Sequence, residues 1–224
     1  MVAEEQRFPT KEAACRACAD FISHHLREGI TARGHASAAL SGGRTAATVF
    51  DSLARADLDW TRVTLTLIDD RWVPIDHADS NEGLVKRYLP DVPFVSLKTP
   101  DAEPKHGLDA VATRLAEAFP GPFDCVYLGM GADGHIASLF PDDPTWEGKV
   151  GPDEPSVHAV AAINDRQPRI SLMPARLFKA RSLVLLSGGA DKLAAWERAK
   201  GEGPIAQLPV RLALKEPMTA LLYD

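Results

Sequence analysis

Apolar positions along this chain alternate between two rhythms, and the alternation predicts an order of elements. Ala14, Cys18, Phe21, Ile22 and Leu26 recur at helical spacing, so a first helix is expected from a Thr10 cap to about Arg27, with Gly29 as its stop. A short apolar strand over 36–40 follows and ends at Ser41-Gly42-Gly43-Arg44. Val49, Phe50 and Leu53 mark a second helix from 45 to about 56. Residues 63–68 (VTLTLI) alternate as a strand and run directly into Asp69-Asp70-Arg71. Helices are expected from Ser80 to about Tyr88 and over 106–119, the latter on Leu108, Val111, Leu115 and Phe119. The nearly continuous apolar run from Phe123 to Leu128 suits a strand buried on both faces of a parallel sheet.

A loop rich in Pro, Gly and Asp spans 141–155. Beyond it are expected a strand at 157–160, a turn through Pro168, a strand at 182–186, a helix at 190–200 and a final strand at 219–223. Strands separated by helices imply right-handed crossovers and a mostly parallel sheet, hence an α/β class. The length of 224 residues fits one domain over 1–224 better than two small ones.

Four of the expected strand ends carry unusual chemistry: SGGR at Ser41, DDR at Asp69, GMGADGH at Gly129 and SGGADK at Ser187. In a parallel sheet such loops share one edge, so residues distant in sequence converge on one crevice. Ser41, Gly42 and Gly43 before a helix offer bare N–H groups, a hydroxyl and a positive helix end, which suit a phosphate. The plain alternative is a capped strand-to-helix turn. Lys192 falls in the first turn of a helix, where a cation opposes the helix dipole and so points to a functional reason. Arg169 is a candidate second cation for the same anion, or a surface arginine.

Asp69 and Asp70, adjacent in an extended segment, point to opposite sides, so only one can serve a given substrate atom, and one is free to pair with Arg71. His135 is the candidate for proton transfer, because its ordinary pKa near 6.5 keeps both charge states within reach at neutral pH. Asp133, two residues earlier on a glycine-rich turn, is placed to orient the ring and favour the imidazolium.

Other patterns carry less. Gly129-x-Gly131-x-x-Gly134 matches a dinucleotide fingerprint literally. It lies past mid-chain, lacks a strand-closing acid about 20 residues on, and puts an aspartate where a pyrophosphate would sit. Cys15 and Cys18 have metal-like spacing but sit on a helical face without a second pair, and Cys125 belongs to a strand, so buried packing is expected. His24 and His25 are adjacent rather than four apart and are not expected to ligate jointly. The net charge of −6, with no basic run, argues against general nucleic-acid binding and requires any anionic ligand to be held by a few local cations. No apolar run approaches the about 20 residues that span a membrane, the N-terminal residues do not resemble a signal peptide, and three cysteines suggest no disulfide framework. A cytoplasmic, soluble protein is the resulting expectation; a monomer or weak homodimer is expected beside it, though nothing in the composition bears on assembly.

The segments ALSGGRTAATVFDSLA (39–54), LIDDRWVP (67–74) with DSN (79–81), LGMGADGHIASLFP (128–141), PRISL (168–172) and LLSGGADK (185–192) resemble, in order, the glucosamine-6-phosphate isomerase/6-phosphogluconolactonase family. The resemblance implies a Rossmann-like three-layer α/β/α fold shared with glucosamine-6-phosphate deaminases, a sugar-phosphate lactone as substrate, and no metal or organic cofactor. It implies metal-free hydrolysis of 6-phospho-D-glucono-1,5-lactone, the second step of the oxidative pentose phosphate pathway. His135 would be the general base, with Asp133, Arg71 and Asp69 beside it, and Ser41, Gly42, Gly43, Arg44, Arg169 and Lys192 on the phosphate.

Two departures stand out. The first loop commonly reads Ser-Gly-Gly-Ser/Thr-Pro where this chain has Arg44, Thr45 and Ala46, so Arg44 either adds a phosphate contact or points to solvent. The usual Asp-Glu-Arg is here Asp69-Asp70-Arg71. The deaminase relatives carry a Glu where this chain has Ser138-Leu139-Phe140-Pro141, which favours the lactonase side.

Overall fold

The computed structural model describes residues 4–163 and 166–224. Its centre is a fully parallel six-stranded sheet in the order β1-β9-β8-β5-β2-β3, formed by β1 (Glu4–Phe8), β2 (Ala36–Leu40), β3 (Val63–Leu67), β5 (Cys125–Gly129), β8 (Leu183–Gly188) and β9 (Thr219–Tyr223). The helices are α1 (Lys11–Arg33), α2 (Arg44–Leu53), α3 (Asn81–Tyr88), α4 (Leu108–Ala118), α5 (Pro174–Leu177) and α6 (Ala190–Lys200). This is the expected Rossmann-like three-layer α/β/α arrangement. The central strands are buried almost throughout, which is why their sequences read as apolar runs. Among the described residues no helix is long and apolar enough to cross a membrane.

The order has one reversal that matters. From β2 the chain crosses through α2 outward to β3, whereas β5, β8 and β9 are added on the other side. The carboxyl ends of β2 and β5 therefore flank a topological switch point, where a crevice opens in folds of this kind.

Three features differ from the sequence expectation. Gly29 does not stop α1; the helix continues to Arg33 and is closed by Gly34 at φ 78°. Gly29 is small because Ala36 and the buried Asp124 lie against it: a Cβ there would come within 2.8 Å of each. β1 was unforeseen because its sequence EEQRF is charged, as suits an edge strand exposed to water.

The third difference is a separate antiparallel sheet, β4-β7-β6, built from β4 (Asp69–Arg71), β7 (Arg169–Leu172) and β6 (Val157–Val160). Asp69-Asp70-Arg71 is thus a strand in its own right rather than the tail of β3, and it pairs Arg71 with Arg169 and Asp69 with Ser171.

Candidate active site

A cleft of about 350 Å³ opens at the switch point and is lined by Ser41, Gly42, Gly43, Arg44, Asp69, Arg71, His135, Arg169 and Lys192, among others. On the β2 side, Ser41 donates its N–H to Tyr127 (3.0 Å), and Gly43 caps α2 at φ 90° with no side-chain hydrogen bond to the first turn. A positive φ of that size suits only glycine without strain. The uncapped N–H groups of α2 face the cleft as a ready anion site. Gly42 has a different reason: a Cβ on it would overlap the carboxamide of Asn81, which packs on the main chain there.

On the β5 side the chain turns through Gly131 and Gly134. His135 Nδ1 meets Asp133 Oδ1 at 2.6 Å, and the same oxygen accepts the His135 backbone N–H at 3.2 Å. With Nδ1 committed to the carboxylate, Nε2 is the nitrogen left for chemistry. A Cβ on Gly131 would collide with the His135 ring and the Asp133 carboxylate, so the pair needs glycine at that position. Burial works against the charge on Asp133, but the hydrogen bond and charge of His135 outweigh it and hold the carboxyl below its ordinary range.

Phe140 packs on the other side of the imidazole, 4.5 Å between ring centres, and its ring also carries Arg166 at 3.8 Å and Arg169 at 5.3 Å. Ala137, which lines the cleft, sits at φ 48°, the single positive φ among the described non-glycine residues. A left-handed residue of this kind costs on the order of 1–3 kcal/mol and tends to mark functional loops.

The small sheet supplies the far wall. Asp69 Oδ2 accepts the Ser138 hydroxyl at 2.5 Å and faces Arg169 Nη1 at 3.5 Å. Asp70 points the other way, as expected for adjacent strand residues, and is 0% exposed. Its charge is met by Lys98 Nζ at 2.8 Å, not by the Arg71 guanidinium as the sequence had allowed. It also accepts the backbone N–H groups of Arg71 (2.8 Å), Asn81 (2.7 Å) and Glu82 (3.2 Å), and so ties β4 to the start of α3.

Arg71 donates through Nη1 to the Asp79 carbonyl (2.8 Å) and to Asn81 Oδ1 (3.2 Å). Asn81 in turn donates to the Asp69 carbonyl at 3.0 Å. Asn81 was visible in the sequence only as part of the DSN segment, without a role; its burial against Gly42 and its bond to Arg71 emerge from the fold.

From the β8 side Lys192 reaches the cleft. Burial pushes its amine below the ordinary value, the Arg44 charge pushes the same way, and Asp133 pulls back. Arg44 lines the cleft although its side chain is exposed. The expected repetition of the phosphate device at Ser187 is only partial. Gly189 caps α6 at φ 87°, matching Gly43, but Ser187 is 2% exposed and a Cβ on Gly188 would run into the Tyr223 ring. Tyr223 takes the place at the cleft wall that a second glycine loop would need.

Arg44, Arg71, Arg169 and Lys192 thus line one cleft with Asp69 as the one acid among the lining residues, inside a chain of net charge −6. Arg71 and Arg169 lie directly opposite each other across the β4–β7 ladder, an arrangement of like charges that is destabilising by itself.

A Rossmann-like α/β fold with a histidine–aspartate pair and a cation-lined cleft at its switch point defines the class: an α/β enzyme. The sequence profile described as Glucosamine-6-phosphate isomerases/6-phosphogluconolactonase matches residues 9–221, and the chain belongs to that family. A 6-phosphogluconolactonase of Pseudomonas putida is 37% identical, over 88% of this chain and 83% of its own. The crystal structure of a 6-phosphogluconolactonase from Shewanella baltica superposes with a TM-score of 0.93 at 32% identity, covering 99% and 98% of the two chains. A monomeric glucosamine-6-phosphate deaminase shares the fold alone, with a TM-score of 0.81 at 15% identity over 99% and 97%.

Proposed function

We propose that this chain hydrolyses 6-phospho-D-glucono-1,5-lactone to 6-phospho-D-gluconate in the oxidative pentose phosphate pathway, with His135 as general base. The observation that carries the reading is the Asp133–His135 pair, 2.6 Å apart, facing a cleft lined by four cations. The phosphate is held by Ser41, Gly42, Gly43, the α2 N-terminus, Arg44, Arg169 and Lys192. That contact is remote from the reacting carbon and serves to fix the ring in place. The anion also relieves the repulsion among these cations, which the chain otherwise carries at a cost.

His135 Nε2 takes a proton from water as the water oxygen bonds to C1. The lactone carbonyl becomes an oxyanion, which Arg71 stabilises; its guanidinium is bonded to the Asp79 carbonyl and to Asn81 and to no carboxylate. Collapse of the intermediate breaks the bond from C1 to the ring oxygen, which receives the proton from the imidazolium. Asp133 keeps Nδ1 protonated and stabilises the ring when charged. Asp69 positions Arg169. The proposed route uses no metal, because the two tasks a metal would perform, activating water and stabilising the oxyanion, fall to His135 and Arg71.

The test is a coupled assay on freshly generated lactone, corrected for spontaneous hydrolysis. H135A should lose about 10²- to 10⁴-fold in kcat while retaining its fold. Near-normal turnover by folded H135A would overturn the assignment of the base, and ammonia release from glucosamine 6-phosphate by the wild type would favour the isomerase side of the family, with Asp69 as the base.

A further inference from the structure

Away from the cleft, α1 gathers a second set of ligating side chains. His24 Nε2 lies 3.5 Å from Glu28 Oε1, and His25 Nδ1 lies 2.9 Å from Glu28 Oε2. The three ligand atoms fall within 4.8 Å of one another. Adjacency alone gave no expectation of joint ligation, but here the ligand atoms of both histidines gather at Glu28. Their Cβ atoms do diverge around the helix, but Glu28 is four residues from one and three from the other, so it stands between them and both rings lean toward it. Phe21 holds the His25 ring edge-on at 4.4 Å between centres, which fixes one ligand in place.

We propose that His24, His25 and Glu28 form a binding site for a divalent transition-metal ion of the zinc and copper class. Ligands about 2.0–2.1 Å from a tetrahedral zinc sit roughly 3–3.5 Å from each other; each histidine already stands at 2.9–3.5 Å from a Glu28 oxygen, and rotation of the side chains has to bring the two imidazoles, now within 4.8 Å, into the same range. Two imidazoles and one carboxylate suit zinc, copper or nickel and not magnesium or calcium, which prefer all-oxygen sets. Three ligands from one helix leave the remaining coordination positions to water.

The site is remote from the cleft. The start of α1 approaches it, since Lys11 influences Lys192 and Cys15 Sγ reaches the Thr45 carbonyl at 3.9 Å. At 1.5 Å per residue His24 lies about 14 Å beyond Cys15 along the helix. None of the three ligands lines the cleft, so the ion is bound apart from the proposed hydrolysis.

The plain rival is a pair of protonated histidines bonded to Glu28 with no affinity for metal. The two readings separate on pH, since metal requires neutral imidazoles and binds more weakly as pH falls, whereas ion pairs strengthen. The experiment is calorimetric titration of the untagged, chelator-stripped full chain with Zn²⁺ at neutral and mildly acidic pH, with thermal melts in parallel. One ion should bind per chain, raise the melting temperature and bind more weakly at the lower pH. Cu²⁺ should bind more tightly than Zn²⁺, and Mg²⁺ should have no effect. The double variant H24Q/H25Q should melt like the wild type in chelator yet lose the Zn²⁺ response, and E28Q should weaken binding by at least about tenfold. Sub-stoichiometric binding, or an unchanged Zn²⁺ affinity in H24Q/H25Q, would overturn the proposal.

Discussion

At Gly131 the absence of one methyl group decides whether the histidine can stand where it does. The ring of His135 and the carboxylate of Asp133 occupy the space a Cβ would take. G131A is therefore expected to displace the pair and lower kcat by about 10²-fold or more, the loss that the proposed general-base role of His135 requires. Because the backbone at Gly131 is not in the left-handed region, urea denaturation should show a change of about 1 kcal/mol or less. A full loss of folding in that variant would show that the glycine serves stability and not positioning. The sequence marked these glycines as turn-formers and marked Asp133 and His135 as the chemical pair. That Gly131 is shaped around the pair needed coordinates, because a steric contact across a turn leaves no periodicity.

Among the elements, β4 is the least legible and the most consequential. Three charged residues do not read as a strand, yet the small sheet sets Arg71 opposite Arg169 and turns Asp69 to the cleft and Asp70 to the interior. Asp70 joins β4, the α3 N-terminus and Lys98 in one buried knot. Burial pushes the Asp70 carboxyl up, and Lys98 opposes that push. D70N would leave Lys98 without a counter-charge and is expected to cost about 3–5 kcal/mol. A urea midpoint shifted by that amount, with reduced kcat/KM as Arg71 and Asn81 lose their support, would bear out the knot. An unchanged midpoint would refute it. By contrast, the parallel strands β2, β5, β8 and β9 were legible from apolar runs alone, since a strand buried on both faces has no polar interruptions.

At the scale of the whole molecule, charge is partitioned. An acidic chain sets four of its 25 Lys and Arg residues around one cleft with a single acid among the lining residues, so the local field there is opposite in sign to the net charge. Stability should also depend on pH through a group that does not line the cleft. His158 on β6 touches Thr145 at 2.9 Å and lies 3.6 Å from Asp143 Oδ2. Burial pushes its pKa below the ordinary value, Asp143 pulls it back, and Lys149 adds to the depression. The unfolded chain then binds the extra proton first, so this contribution is fully present above about pH 6.5 and is lost as pH falls through the lower folded value. Thermal melts of the wild type from pH 7.5 downward should show that decline, and H158Q should show a shallower one. Identical slopes would remove His158 from the account.

The sequence by itself determined the α/β class, the order of most elements, the glycine loops at the strand ends and the Asp133–His135 pair. These are local matters, written in periodicity and in residues adjacent along the chain. The tertiary structure alone decided the edge strand β1, the second sheet, the partner of Asp70, the burial of Asn81 against Gly42 and the replacement of a second phosphate loop by Tyr223. Each of these depends on contacts between segments far apart in the chain, and a polar residue satisfied by a distant partner looks, in sequence, like any residue facing water.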